Sequence, residues 1–241
     1  IGPHETLRLT PPFAPTGMSV TKRNGRREPV DLNMIVRAVQ RCSDGLFAID
    51  PMRVATRTIS GLYDGASTRE LDELSIRTAA LLTAEEPEYS RLAARLLAAY
   101  IDKEVTGQEI HAFSQSVSRG HELGLINARL LTFVQTHARK LNAALNSDFD
   151  RHFDYFGLRT LYDRYLLRHP HSRKVIETPQ QFFLRIACAL SGDVGEALAL
   201  VAGIEQALAP VDRAGLLFDV AIVDQLLQDA AEALLGDLQN V

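Results

Sequence analysis

Lys22 and Arg23 on one side of Asn24-Gly25, and Arg26 and Arg27 on the other, place four cations within six residues. That density suits the binding of a multiply charged anion such as a polyphosphate, which Lys and Arg neutralise together with N–H groups at turns or helix N-termini. The chain as a whole does not share this character. Its 26 Lys and Arg against 30 Asp and Glu leave a formal charge of −4, which draws in neither nucleic acid nor an anionic membrane. An anion site must therefore be local. The competing reading is a solvated hairpin whose charges guard its edge from further pairing, and Arg26 and Arg27, which flank the turn, suit either.

The cations need a scaffold. Asn-Gly is the strongest short hairpin signal, because both central residues of a type I′ turn need φ > 0, so residues 18–22 and 26–30 are expected as paired strands with Lys22 and Arg23 on the first. Four helices should follow. Asp31 can cap one in which Ile35, Val36, Val39 and Cys42 recur at helical spacing, ending near Gly45. Asp50 caps a second, opened by Pro51 and closing on Gly65. Ser67 and Glu70 form a capping box for a third over 68–86. Pro87 opens a fourth, whose Leu92, Leu96, Leu97 and Tyr100 make one apolar face, reaching Val105 before Gly107.

A second region begins near Ile110, with helices expected over 109–124 and 127–145, then an acidic and aromatic loop over 146–156 and a short helix over 158–166. Thr178 and Gln181 make another capping box, opening a helix over 180–190. From Gly192 an alanine- and leucine-rich tail should form two or three helices. Asp148, Asp150 and Asp154 sit among Phe149, Phe153, Tyr155 and Phe156, and read as a structural loop, since no base or nucleophile stands in fixed relation to them. His169-Pro170-His171 holds two imidazoles, but no Cys, Asp or Glu stands beside them at ligand spacing, and an exposed turn is expected. The two cysteines, Cys42 and Cys188, lie in separate apolar segments and read as buried core thiols, which implies a reducing, cytoplasmic setting. Hydrophobic content of 46% supports a substantial core. No window reaches the roughly 18 consecutive apolar residues of a membrane span, so neither membrane nor nucleic acid is expected as a partner. Residues 1–17, rich in proline and glycine, are expected as an extended arm.

Three stretches, VTKRNGRREPVDLNMI, GLYDGASTRELDEL and EPEYSRLAARLLAAYIDKE, in this order and spacing, resemble the ATP-cone, the nucleotide-sensing domain at the N-terminus of many ribonucleotide reductase large subunits. FDYFGLRTLYDRYLLR, VIETPQQFFLRIACAL and VGEAL are similar to the segment that follows the cone in class I large subunits. The resemblance covers most of residues 19–198. It implies a mainly α fold: a small β-hairpin plus four-helix cone over 18–106, a further helical region over 107–198, and a tail over 199–241 without an assigned role. It also implies an overall-activity switch for a ribonucleoside-diphosphate reductase. ATP or dATP, with Mg²⁺, would bind unaltered and set the oligomeric state, and the partners would be further copies of the chain and the radical-generating small subunit.

By the same resemblance Lys22 and Arg23 contact the nucleotide, Glu28, Val30, Asp31, Leu32 and Asn33 match positions lining base and ribose, and Met34 stands at a phosphate-facing position. Thr68 serves base or phosphate from the start of the third helix, Asp72 lies one helical turn on within the site, and Lys103 meets phosphate at the end of the fourth. Thr68 and Asp72 also suit plain capping and first-turn roles, and Lys103 that of a C-terminal helix cation. Met34 is a departure, because the family carries a lysine there. Loss of that ammonium is worth about 1.5–3 kcal/mol, roughly tenfold to a hundredfold in affinity, and Arg37 and Arg27 are the cations that could stand in. Reduction in this family uses more cysteines than two, and neither Cys42 nor Cys188 matches a catalytic position, so residues 1–241 alone are expected to be inactive. The alternative is a non-catalytic interaction or oligomerisation protein with a degenerate cone.

Overall fold

The structure, a computed structural model, describes residues 17–208. Of the expected arm over residues 1–17, residues 1–16 lie outside the described residues, as do the tail helices beyond 208. Strand β1 (Ser19–Thr21) pairs antiparallel with β2 (Arg27–Pro29), Val20 standing opposite Glu28. The turn differs from the type I′ expectation. Gly25 has a positive φ, 81°, whereas Asn24 does not. Gly25 N–H donates to Lys22 O at 2.9 Å and Lys22 N–H to Arg26 O at 2.8 Å, the pattern of a type I turn closed by a left-handed glycine bulge. Asn24 explains the choice: its Oδ1 accepts the Arg26 N–H at 3.1 Å, a side-chain turn that favours an ordinary backbone at Asn24. Lys22 and Arg23 consequently sit beyond the last paired strand residue rather than on the strand, free of its strict alternation.

Helices α1 (Leu32–Cys42), α2 (Pro51–Ser60), α3 (Thr68–Leu82) and α4 (Glu88–Thr106) follow. Their starts obey the sequence signals. Asp31 accepts from Asn33 N–H and Asp50 from Met52 N–H, and Ser67 with Glu70 completes a reciprocal capping box. Helix α2 stops at Ser60 instead of running to Gly65. Gly61 ends it, donating to Arg57 O at 3.2 Å, and a Cβ at Gly61 would meet Leu74 at 2.8 Å. Gly65, with φ of 85°, belongs to the loop that carries the chain back to the hairpin.

The second region holds α5 (Phe113–Glu122), α6 (Ala128–Thr136), α7 (Ala138–Ala143), a 3₁₀ turn (Ser147–His152), α8 (Tyr155–Arg164), α9 (Pro179–Leu190) and α10 (Val194–Leu208). Helix α5 starts at Phe113 because Glu109 adopts φ of 62° and turns the chain so that Ile110 is buried. The single helix expected over 127–145 is two. His137 leaves helical geometry at φ −111°, ψ 14°, just after the Thr136 hydroxyl donates back to Thr132 O at 2.8 Å, a contact that bends helices.

One apolar cluster runs from Val36, Val54 and Ile76 through Leu92, Leu97 and Ile101 to Phe149, Phe153, Leu158, Leu161 and Phe183. Helix α4 lies at its centre, packed on α3 on one side and α8 on the other. A second cluster joins α5, α6, α7, α9 and α10 through Phe113, Val134, Leu141 and Leu184. A third, small one lies under the hairpin. The architecture is mainly helical with a single two-stranded hairpin among the described residues.

Candidate functional site

The site is built where the hairpin meets α3. Thr21 N–H donates to Ala66 O at 2.9 Å and Gly65 N–H to Ser19 O at 2.8 Å, so the segment entering α3 runs beside β1 as a third extended piece. Val20, Val30, Leu32 and Leu71 form the apolar floor, with Met18, Ile35, Ile59 and Leu62 against it. Arg27 ties the outer edge down: its Nη2 donates to Ser19 Oγ at 2.6 Å and to Asp64 at 3.2 Å. Bonds from the Ser19 backbone and hydroxyl, with Arg27 close by, hold the Asp64 carboxyl below its ordinary pKa.

From this base the turn reaches the first turns of α3. Arg23 Nη2 lies 3.2 Å from Asp72 Oδ2, and Lys103 Nζ, on α4, lies 2.8 Å from Asp72 Oδ1. One carboxylate thus holds two of the expected phosphate-binding cations. Both pairs are partly exposed, and pairs of that kind are worth about 0–1 kcal/mol.

A layer of side chains that sequence reasoning did not assign to the site supports this cluster. The Arg23 guanidinium lies over the Tyr100 ring, 5.2 Å from its centre. Tyr100 OH accepts from Arg69 Nε at 2.6 Å and donates to Glu73 Oε1 at 3.2 Å. Burial above all, with Tyr162 and Glu104 adding to it, raises the pKa of the Tyr100 phenol. The helical face containing Leu92, Leu96, Leu97 and Tyr100 is buried as its spacing predicts. The signal for more was the position of Tyr100 one turn before Lys103, with Arg69, Asp72 and Glu73 at matching spacing on α3.

The remaining candidates fall in distinct places. Lys22 Nζ pairs with Glu28 Oε2 across the hairpin at 3.3 Å. Val30 and Leu32 have buried side chains, so only their backbone is available to a ligand. Asp31 is the α1 cap, accepting Asn33 N–H at 2.9 Å and pairing with Arg37 at 3.1 Å. Asn33 Oδ1 is buried, with no hydrogen-bond donor among the described residues. Thr68 is the first residue of α3, the cap being Ser67. Met34 projects from the first turn of α1 with 53% of its surface exposed. Arg27 and Arg37, the cations considered as substitutes for a lysine there, are engaged by Asp64 and Asp31.

Away from this site, Phe149 and Phe153 are core residues, and Asp154 caps α8 through Gly157 N–H at 2.7 Å. Desolvation lifts Asp150 to about 6. His169 Nδ1 faces the N–H groups of His171 and Ser172 at 3.2 and 3.4 Å within a tight turn. Cys188 is buried and its thiol is pushed up to about 12, while Cys42 is only half-buried, with its thiol also raised by burial. Neither thiol is activated as a nucleophile.

Comparison with known proteins adds two domain matches. The ATP cone domain matches residues 18–104, and the all-alpha domain of ribonucleotide reductase matches residues 151–219. The chain is 36% identical over 182 residues to the ribonucleoside-diphosphate reductase large subunit of Caenorhabditis elegans, covering 72% of this chain and 23% of that protein. It is 36% identical over 183 residues to large chain 2 of Saccharomyces cerevisiae, covering 73% and 21%. With the large subunit of Arabidopsis thaliana it shares 32% over 187 residues, covering 73% and 22%. The chain spans between a fifth and a quarter of the length of these relatives.

Proposed function

The chain belongs to the ribonucleoside-diphosphate reductase large-subunit family, carrying its ATP cone and the all-alpha domain after it, and on that premise we propose that the hairpin, α1, α3 and α4 form an effector site for ATP or dATP. The observation that carries this reading is the convergence of Arg23 and Lys103, from two separate elements, on the single carboxylate of Asp72. Before a nucleotide arrives, Asp72 neutralises cations that would otherwise repel each other. A triphosphate takes its place, and Lys22 exchanges Glu28 for phosphate in the same way. The orphan Oδ1 of Asn33 fits an amino-group donor on a purine base. Mg²⁺ accompanies the triphosphate and shares the neutralisation of its charge.

Nothing in this arrangement is a base or nucleophile set to cleave a phosphate, so the nucleotide acts by occupancy. In the full enzyme, the effector favours one assembly over another by binding the two with different affinity, and so governs self-association, engagement of the small subunit and reduction of ribonucleoside diphosphates. Residues 1–241 alone carry no reductase activity in this reading. Calorimetric titration with ATP and with dATP tests it. The parent chain should bind, and the Lys22→Ala, Arg23→Ala double variant should not; absence of binding by the parent removes the effector site.

A second reading, a non-catalytic interaction protein with a degenerate cone, draws on the exposed Met34 where the family has lysine. Light scattering separates the two, because a pure scaffold keeps the same mass with and without dATP.

A further inference from the structure

The cation cluster and the all-alpha domain share a connected set of side chains. Arg69 divides its guanidinium among three partners: Nε goes to Tyr100 OH at 2.6 Å and lies 3.5 Å from Glu73 Oε1, and Nη2 goes to Glu104 Oε1 at 3.2 Å. The other oxygen of Glu104 accepts from Tyr162 OH, on α8, at 3.2 Å. The Tyr100 and Tyr162 rings meet edge to face with centres 6.1 Å apart, and Arg168 covers Tyr162 at 4.4 Å. Glu104 is 3% exposed, so water does not replace a lost partner, and its two oxygens depend on one donor from α3 and one from α8. A buried carboxylate left short of a donor is costly. The network therefore favours discrete arrangements over gradual drift.

Its near end lies in the effector site. Arg23 rests on the face of Tyr100, and Arg69 is the second cation near that ring, at 5.8 Å. Lys103 and Glu104 are neighbours on α4, one turned to Asp72 and the other to α8. On the effector reading, phosphate draws Arg23 and Lys103 from Asp72 and takes the cation off the Tyr100 face, leaving Arg69 and Glu73 as the partners of its hydroxyl. Arg69 then holds Glu104 less firmly, and the change reaches Tyr162 through Glu104.

We infer that Tyr100 is a positioning residue of the effector site and that the Glu104–Tyr162 hydrogen bond transmits occupancy of that site to α8. This rests on the effector reading above and adds the route by which the site acts on the domain beside it. The route is a physical chain of shared partners, and both ends bias the same buried carboxylate.

Amide hydrogen exchange in α8, residues 155–164, tests it in the full chain, with and without saturating dATP, alongside calorimetry. In the parent, dATP should change α8 exchange by about fivefold or more, the lower end of ordinary coupling. In Tyr162→Phe, which keeps the ring and removes the donor, dATP should still bind while the α8 response disappears. Glu104→Gln serves as a second variant, and should likewise separate binding from response. At the near end, Tyr100→Phe, which keeps the ring beneath Arg23, should retain more dATP affinity than Tyr100→Leu. Bound dATP with no α8 response in the parent, or an undiminished response in Tyr162→Phe and Glu104→Gln, overturns the relay and leaves the effector site standing. No dATP binding by the parent overturns both.

Discussion

Asp72 and Lys103 form a 2.8 Å ion pair between α3 and α4, and the same carboxylate extends to Arg23 of the hairpin turn at 3.2 Å. Three elements are thereby drawn together by one charge, which in the proposed effector site holds the place of an external anion. Neutralising that internal anion tests the idea directly. Asp72→Asn should raise the affinity for inorganic tripolyphosphate by up to about tenfold, equivalent to about 1.4 kcal/mol, as read by calorimetry at fixed salt. A fall in affinity would show instead that Asp72 serves to orient the two cations.

Met34 offers the converse experiment. It is 53% exposed, so Met34→Lys leaves no cavity. A restored ammonium should tighten ATP or dATP binding by roughly tenfold to a hundredfold, from about 1.5–3 kcal/mol of charge-assisted bonding. The same cation near a helix N-terminus costs about 0.3–1 kcal/mol, so urea unfolding should show a small loss of stability without nucleotide. Unchanged affinity would mean that position 34 lies outside ligand reach.

A third prediction concerns the scaffold. Glu177, 1% exposed, takes both arms of Arg185 at 2.8 and 2.9 Å and also the Leu167 N–H at 2.8 Å. Glu177→Ala leaves a half-buried guanidinium and a backbone donor without partners, and should cost about 3–5 kcal/mol in urea unfolding. A loss below about 1 kcal/mol, the level of a surface pair, would contradict this.

Asp150 should make stability pH-dependent. Burial is the main cause of a folded-state value of about 6, against an ordinary 3.8. The folded chain therefore holds this proton more tightly than the unfolded chain does. The contribution is fully present below pH 3.8 and is lost as pH rises through about 6, amounting to at most about 3 kcal/mol. Asp150→Asn should be more stable than the parent at pH 7, and the difference should vanish near pH 4. Equal stability of the two at pH 7 would show that solvent screens the group.

Much of the fold could be read locally. Asp31, Asp50, Ser67 and Thr178 mark helix starts through side chains that bond to N–H groups two or three residues away, and the face of Leu92, Leu96, Leu97 and Tyr100 is buried as its period requires. Such signals act within one turn of backbone and need no distant partner. Helix ends were harder. Gly61 ends α2 where Leu74 closes over it, a contact that no local pattern contains. The turn type was likewise decided by the Asn24 side chain bonding to Arg26, a competition between two local solutions that the Asn-Gly pair alone leaves open.

The sequence by itself determined the order of elements, the density of cations at the turn and the family pattern that carries Lys22, Arg23, Asp72 and Lys103. Tertiary structure decided which of them meet. Arg23 and Lys103 converge on Asp72 because the β1 contacts with Gly65 and Ala66 dock the turn on α3, while Lys22 stays with Glu28 on the hairpin. Tyr100, an apolar-face residue by period, became a platform for Arg23 and a hydrogen-bond partner of Arg69 and Glu73. Charge and periodicity are properties of single segments, whereas partner choice among cations and carboxylates depends on a few ångströms set by the packing of several segments at once.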